Sequence, residues 1–286
     1  MNSQQQDGFS LVELMVALVV SLLLLAGILQ ILLGNRQSFS NQQASADIED
    51  NQRLASFVIE NVVAHAGYRD QLRSRNDTLF PPRGDGSSRG LSITKGAFIS
   101  GASDSNGNDA IRIRFQAAGT VHDCLGTTID GGDDTKPVPA VADMALFVDD
   151  ENTLRCGLYV ENNTPQSGLS LGTAETPFDK RGAQPLVDNV ERFKVRYGLD
   201  TDGDLSADTY ASSLNDTTTR QVISVRVQLV VTSDSQVLPS ESTQSFTFAD
   251  GSTLPAKGKT WPKDDRKARR MLDQTIALRN AVLQQP

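Results

Sequence analysis

A lone glutamate, Glu13, stands at the start of a long apolar run, and far from it Asp200, Asp202, Asp204 and Asp208 crowd one short segment. A carboxylate carried into a membrane costs about 2.5–3.5 kcal/mol near the bilayer centre and less toward an interface. Glu13 therefore either rests at the interface, where a carboxylate suits a helix N-terminus, or takes a positive partner. The aspartates follow the front half of a calcium loop, and a hard divalent ion wants several oxygens within about 2.3–2.6 Å. The pattern departs from an EF-hand: Leu205 stands where the loop glycine belongs and Ala211 where the bidentate glutamate belongs. A polar hairpin turn built on Asp202-Gly203 is the alternative. Two cysteines, Cys124 and Cys156, form one disulfide more often than not in an exported domain, with two buried thiols as the alternative. With only His65 and His122 beside them, they make a weak zinc set. No nucleophile–base spacing and no phosphate loop appears, so no enzyme is expected.

The elements that carry these residues begin with MNSQQQDGFSLVELMVALVVSLLLLAGILQILLGNRQ. From Leu14 to Leu33 the run is apolar apart from Ser21, Gln30 and two small residues. As a helix it spans about 30 Å, the thickness of a bilayer core. A cleaved secretory signal would place small residues beyond the apolar stretch; here the small residue, Gly8, precedes it. Residues 35–68 contain no proline, and Ile48, Ala55, Val58, Ile59, Val62 and Ala66 recur with helical spacing. They predict an amphipathic extension of the first helix, ended near Gly67. A separate short helix after a break at Gly34 is the alternative.

Residues 71–108 are rich in Asn, Asp, Gly, Ser and Pro and read as long surface loops, with an RGD triplet at Arg83–Asp85 that carries little weight. Period-two patterns then mark strands. Ile111, Ile113 and Phe115 alternate with Arg112, Arg114 and Gln116, and Leu154, Cys156, Leu158 and Val160 share one face. Phe193, Val195 and Tyr197 mark a third strand, Ile223, Val225, Val227 and Leu229 a fourth, Phe246 and Phe248 a fifth, and Thr275–Asn280 a closing one. A long helix followed by strands and loops implies an α+β fold, an antiparallel sheet packed on one helix.

The formal net charge of −8 is uneven: residues 1–34 hold no Lys or Arg, whereas 257–286 hold eight against three Asp. The acidic middle argues against nucleic acid as a partner. The Lys263–Arg270 stretch reads either as a solvated face or as contacts within the domain or to a neighbouring subunit.

Gly8-Phe9-Ser10-Leu11-Val12-Glu13 followed by an apolar helix resembles the processing and methylation motif of type IV prepilins. The resemblance implies a leader at 1–8 cut after Gly8 by the prepilin peptidase, N-methylation of Phe9, and pairing of Glu13 with the terminal amine of an adjacent subunit. An amine with a pKa near 8 is mostly cationic at neutral pH, which makes it a suitable partner for a carboxylate in low dielectric. It further implies an assembly helix at 9–34, its extension at 35–68 and a globular domain at 69–286. The leader lacks the Lys or Arg common in such leaders, and the helix lacks the proline of many major pilins, the first proline being Pro81. Asp-Cys-Leu-Gly around Cys124, Leu-Arg-Cys around Cys156, Val190-Glu191 leading into Tyr197–Asp204, and the ending Thr275–Asn280 resemble the PilW type of minor pilin, related to the J-type pseudopilins of type II secretion. That likeness implies a minor pilin that helps initiate pilus biogenesis near the fibre tip, with a secretion pseudopilin as the alternative. Its partners would be other minor and major pilins, the inner membrane and its assembly platform. The chain would sit in the bacterial inner membrane, N-terminus cytoplasmic and domain periplasmic, and then in the surface fibre. No cofactor is implied beyond calcium as a candidate.

Overall fold

The computed structural model describes residues 10–69, 80–84, 90–117, 120–124, 126, 128–130, 141–160, 183–215 and 217–281. The leader and Phe9 lie outside them. Helix α1 runs unbroken from Leu11 to Ala64, so no break occurs at Gly34. Ser10 caps its start, and Gly67, at φ 73°, turns the chain out of it and donates to the Arg114 carbonyl at 2.9 Å. The predicted stripe is buried in full, and Ala44 and Val63 join it. Each large aliphatic chain removed from water there contributes roughly 1.5–3 kcal/mol.

The strands, in chain order, are β1 (Ile99–Ser103), β2 (Asp109–Gln116), β3 (Thr120–His122), β4 (Thr128–Asp130), β5 (Val141–Val148), β6 (Leu154–Val160), β7 (Ala183–Val187), β8 (Val190–Leu199), β9 (Thr209–Ala211), β10 (Val222–Thr232), β11 (Phe246–Thr247), β12 (Thr253–Leu254) and β13 (Arg269–Ala277). A five-stranded sheet in the order β1-β2-β5-β6-β7 stands beside a four-stranded one, β13-β10-β8-β9, and β3-β4 and β11-β12 are small hairpins. All pairings are antiparallel. The two sheets meet where side chains stand in for a strand. The Asn108 carboxamide oxygen accepts the Phe193 amide at 3.1 Å and the Asp109 carboxylate accepts the Val195 amide at 2.9 Å. Helix α1 lies over this pair of sheets, against β13, β10 and β7.

Three sequence expectations change in the structure. The Phe246–Phe248 pattern forms a two-residue strand of a hairpin, outside the main sheets. The closing strand begins earlier than Thr275, at Arg269. The segment read as surface loops sends Phe80, Leu91, Ile93 and Phe98 into the interior and supplies β1.

The alternation in β2 marks a strand with no solvent face. Ile111, Ile113 and Phe115 point into the main core, while Arg112 and Arg114 on the other side are 0% exposed. Both reach Asp143 of β5, which is also 0% exposed: Arg112 Nη2 at 2.5 Å, and Arg114 through Nε at 2.6 Å and Nη2 at 2.9 Å. Arg83 joins them at 2.7 Å, its guanidinium 4.0 Å from the Tyr159 ring centre. The same arginines donate to the carbonyls of Pro81, Gly84 and Leu91. They therefore clamp the 81–93 segment over the outer face of the sheet. Burial alone would raise the Asp143 pKa; hydrogen bonding and charge from Arg114, with Arg112 and Arg83, outweigh it and hold the carboxyl below its usual range.

Cys124 and Cys156 are joined in a disulfide with Cα atoms 6.4 Å apart, within the normal span. It ties the turn of the β3-β4 hairpin to β6.

Two outcomes follow for stability. Asp143→Asn leaves buried guanidinium groups short of their counter-charge and should cost about 3–5 kcal/mol in denaturant unfolding. Because the folded pKa lies below the unfolded one, the carboxylate's contribution is complete at neutral pH and is lost as pH falls below about 4; wild-type Tm should drop there, and an unchanged Tm down to pH 2 would contradict the assignment. Cys156→Ser should cost roughly 3–4 kcal/mol through loss of the closed loop, read as a lower denaturation midpoint that added reductant does not lower further.

Candidate functional site

The residues singled out in the sequence fall into two places. The first is the start of α1. The Ser10 carbonyl accepts the Leu14 amide at 3.1 Å and its hydroxyl accepts the Glu13 amide at 3.4 Å, so the helix begins one turn before the apolar run. Glu13 lies in that first turn, exposed, with Val12, Val16, Ala17 and Val20 beside it. Every large apolar residue from Leu11 to Leu33 is exposed. The helix is long and apolar enough over this part to cross a membrane, and none of that window is buried against the domain. Gly8 lies outside the described residues.

Above the apolar run the helix is held by polar contacts as well as by its stripe. Gln37 donates to the Val237 carbonyl at 2.5 Å, Arg270 pairs with Glu49, and Ser56 donates to the Gln274 side chain at 2.6 Å. Asn280 donates to the carbonyls of Ala64 and Ala66 at 3.2 and 3.3 Å, closing the free C-terminal end of the helix.

The second place is the loop between β8 and β9. One carboxylate oxygen from each of Asp200, Asp202 and Asp208 lies within 4.8 Å of the others. Asp204 is not in that group; its carboxylate accepts the Ser206 amide at 2.7 Å. Asp200, 2% exposed, accepts the amides of Gly203 at 2.6 Å and Leu205 at 3.0 Å. Asp208 accepts both the amide and the hydroxyl of Thr201, at 2.7 and 2.6 Å, and those bonds hold its pKa below the usual carboxylate range. Leu205, which replaces the glycine of a calcium loop, has φ 67°, the left-handed backbone that the glycine would supply. The loop thus keeps the turn of a calcium loop with a leucine in the strained position, and it presents three carboxylates that suit a hard cation.

The histidines do not converge on a site. His65 caps the helix C-terminus with Nδ1 2.6 Å from the Asn61 carbonyl and packs on Phe115 at 5.2 Å, while His122 belongs to β3. Sequence reasoning missed the Asp143 cluster. Its signal was an aspartate inside the apolar stretch VADMALFV, a residue that needs a cation once the stretch is read as a buried strand.

Comparison with known proteins agrees with the two ends of the chain. Residues 3–29 match the model of the prokaryotic N-terminal methylation motif, and residues 157–280 match PilW, the type IV pilus-assembly protein W. No curated protein matches the chain. Among solved structures, the type IV-like pilin TTHA1219 from Thermus thermophilus is similar over 82% of this chain and 97% of that one, at 14% identity and a TM-score of 0.44. The chain thus carries, on one polypeptide, a segment similar to the N-terminal methylation motif and a second segment similar to PilW.

Proposed function

We propose that this chain is a minor pilin that enters a type IV pilus through α1 and helps initiate its assembly, near the fibre tip. The observation that carries the reading is the division of one rigid helix into a fully exposed apolar half and a half fixed to the domain. A free apolar half of bilayer length suits two successive environments, lipid before assembly and the packed helices of neighbouring subunits after it. The methylation-motif match over residues 3–29 supports cleavage after Gly8 and methylation of Phe9 by the prepilin-processing machinery. It also supports an N-terminus that starts cytoplasmic and a domain on the opposite side of the inner membrane. The new terminal amine of one subunit is then a cation of the right kind for Glu13 of the next. Other pilins and the assembly platform are the partners in this reading, and the role is structural, without catalysis.

Within it, the β8-β9 loop is the place for calcium, held by Asp200, Asp202 and Asp208, with Asp204 outside the ligand set. Calcium would neutralise three carboxylates held together on an already acidic domain.

Glu13→Val should leave the mature length unchanged but reduce surface fibres at least about tenfold, equivalent to roughly 1.4 kcal/mol of lost assembly free energy. Immunoblotting of the processed form and counting fibres by electron microscopy measure the two; normal piliation would remove the role of Glu13. For the loop, calorimetry should find calcium binding with a Kd of about 10⁻⁴–10⁻³ M, as in extracellular modules, abolished by Asp200→Asn. Absence of heat at millimolar calcium ends that assignment.

A further inference from the structure

Helix α1 serves as a ruler for height above the membrane. Strand β13 runs beside it, away from its apolar end: Arg270 meets Glu49, Gln274 meets Ser56 and Glu60, and Asn280 meets Ala64 and Ala66. The residues preceding Arg269 therefore lie toward the apolar end. Gln37 fixes how far. Its side chain donates to the Val237 carbonyl, and the amides of Val237 and Leu238 both donate to the Arg266 carbonyl, at 3.0 and 2.8 Å. Gln37 is only about 6 Å of helix beyond Leu33. The turn carrying Arg266 thus hangs beside the end of the apolar run.

The cations at this level differ from those higher in the domain. Farther up, Arg270 pairs with Glu49, Arg226 with Asp273, Lys194 with Asp109 and Asp250, and Arg269 with Glu191 and Asp265. Arg36, Lys263 and Arg266 are exposed and have no ion-pair partner among the described residues. Exposed Lys257 and Lys259 belong to the same stretch. The acids near them are Asp234, Glu241, Asp264 and Asp265; Glu241 accepts the Asp264 amide at 3.2 Å and Asp265 is paired with Arg269. The rest of the domain is strongly acidic, with 30 Asp/Glu against 19 Lys/Arg over residues 35–256. An anionic leaflet would repel that body everywhere except at this end, where unpaired cations face it.

We propose that Arg36, Lys263 and Arg266 form an electrostatic foot that seats the domain on anionic phospholipid headgroups while the subunit resides in the bilayer. The inference rests on the reading of the apolar half of α1 as a membrane span. The foot orients the domain before extraction and releases when the subunit leaves the membrane. Trp261, the chain's only tryptophan, is half-buried under the Arg269 guanidinium, above the foot, so the reporter is a tryptophan introduced in the turn beside Arg266, Ser235→Trp in a Trp261→Phe background; Ser235 is exposed there.

The test uses the full chain in nanodiscs of phosphatidylcholine, with or without phosphatidylglycerol, each containing a headgroup-nitroxide lipid. Quenching of the tryptophan introduced by Ser235→Trp should be at least about twofold stronger with phosphatidylglycerol and should fall to the phosphatidylcholine level at roughly 0.5 M salt, where the Debye length is only a few ångströms. The double variant Lys263→Gln, Arg266→Gln should lose the difference while remaining incorporated. Equal quenching in the two lipids, or a lipid response that survives the double variant, overturns the foot. A variant that keeps the lipid response but loses crosslinks to co-expressed pilins shows that the cations dock protein and overturns it equally. A chain that never enters the nanodiscs overturns the span as well, which separates the two failures.

Discussion

The constraint on which the rest of the structure depends is that one continuous helix must serve two surroundings. Among the described residues nothing packs on its first half, and its second half is the central wall of a packed domain. The transition is short: Leu33 ends the exposed apolar run, and Ala44 is the first buried residue of the stripe. Because no proline or break intervenes, the helix transmits position without a hinge. The contacts of Gln37, Glu49, Ser56 and Ala64 with the chain between Val237 and Asn280 then set the height of each part of the domain along it.

A helix on one side of a sheet leaves the other side to be covered. Here β5 is buried on both faces: Met144 and Leu146 look toward the main core, and Ala145 and Phe147 toward a second, smaller cluster with Leu91. The cover on that second face is an irregular segment, and irregular backbone brings carbonyls that need donors. Arginine answers this requirement because one guanidinium can hold a carboxylate and a carbonyl together. Arg112 and Arg114 do so, with Asp143 as the shared anion and Pro81, Gly84 and Leu91 as the carbonyls. A buried ion cluster adds little stability relative to an apolar core. What it supplies is a specific site for a loop that lacks enough apolar side chains to find one.

The difference between what was legible and what was not follows the same lines. The stripe from Ile48 to Ala66 was readable because one face meets protein and the other water, which is the condition under which a 3.6-residue period appears. The strands β6, β8 and β10 were readable because apolar residues recur at every second position along one face, whether the opposite face meets water or, as in β10, is covered by the β11-β12 hairpin. Strand β5 was missed because both of its faces are covered, so its sequence does not alternate. Arg112 and Arg114 were recognised as alternating residues, but a charged residue opposite an apolar face gives no sign of whether it meets water or a buried aspartate. In the acidic loop the spacing of Asp200, Asp202 and Asp208 foretold their convergence, whereas the departure of Asp204 depends on which amide each carboxylate captures. The disulfide between Cys124 and Cys156 was legible from the count of cysteines, since only one pairing is available.

Asp143 and Glu13 pose the same physical problem with opposite solutions. Each is a carboxylate in a setting that disfavours charge, one in a protein interior and the other at the mouth of a membrane-length helix. Asp143 finds its cations within the chain, in Arg83, Arg112 and Arg114. Glu13 cannot do so: residues 1–34 contain no Lys or Arg, and its amide bond to Ser10 uses its backbone and leaves its carboxylate out. The nearest Lys or Arg in sequence is Arg36, twenty-three residues and about 35 Å of helix away. The domain satisfies its buried acid from its own side chains, while the apolar run of the exposed helix offers Glu13 no cationic side chain. An element that is electrostatically incomplete and apolar on all sides is an interface by construction. That incompleteness, rather than any feature of the folded domain, is what suits the first turns of α1 to the assembly surface proposed for them.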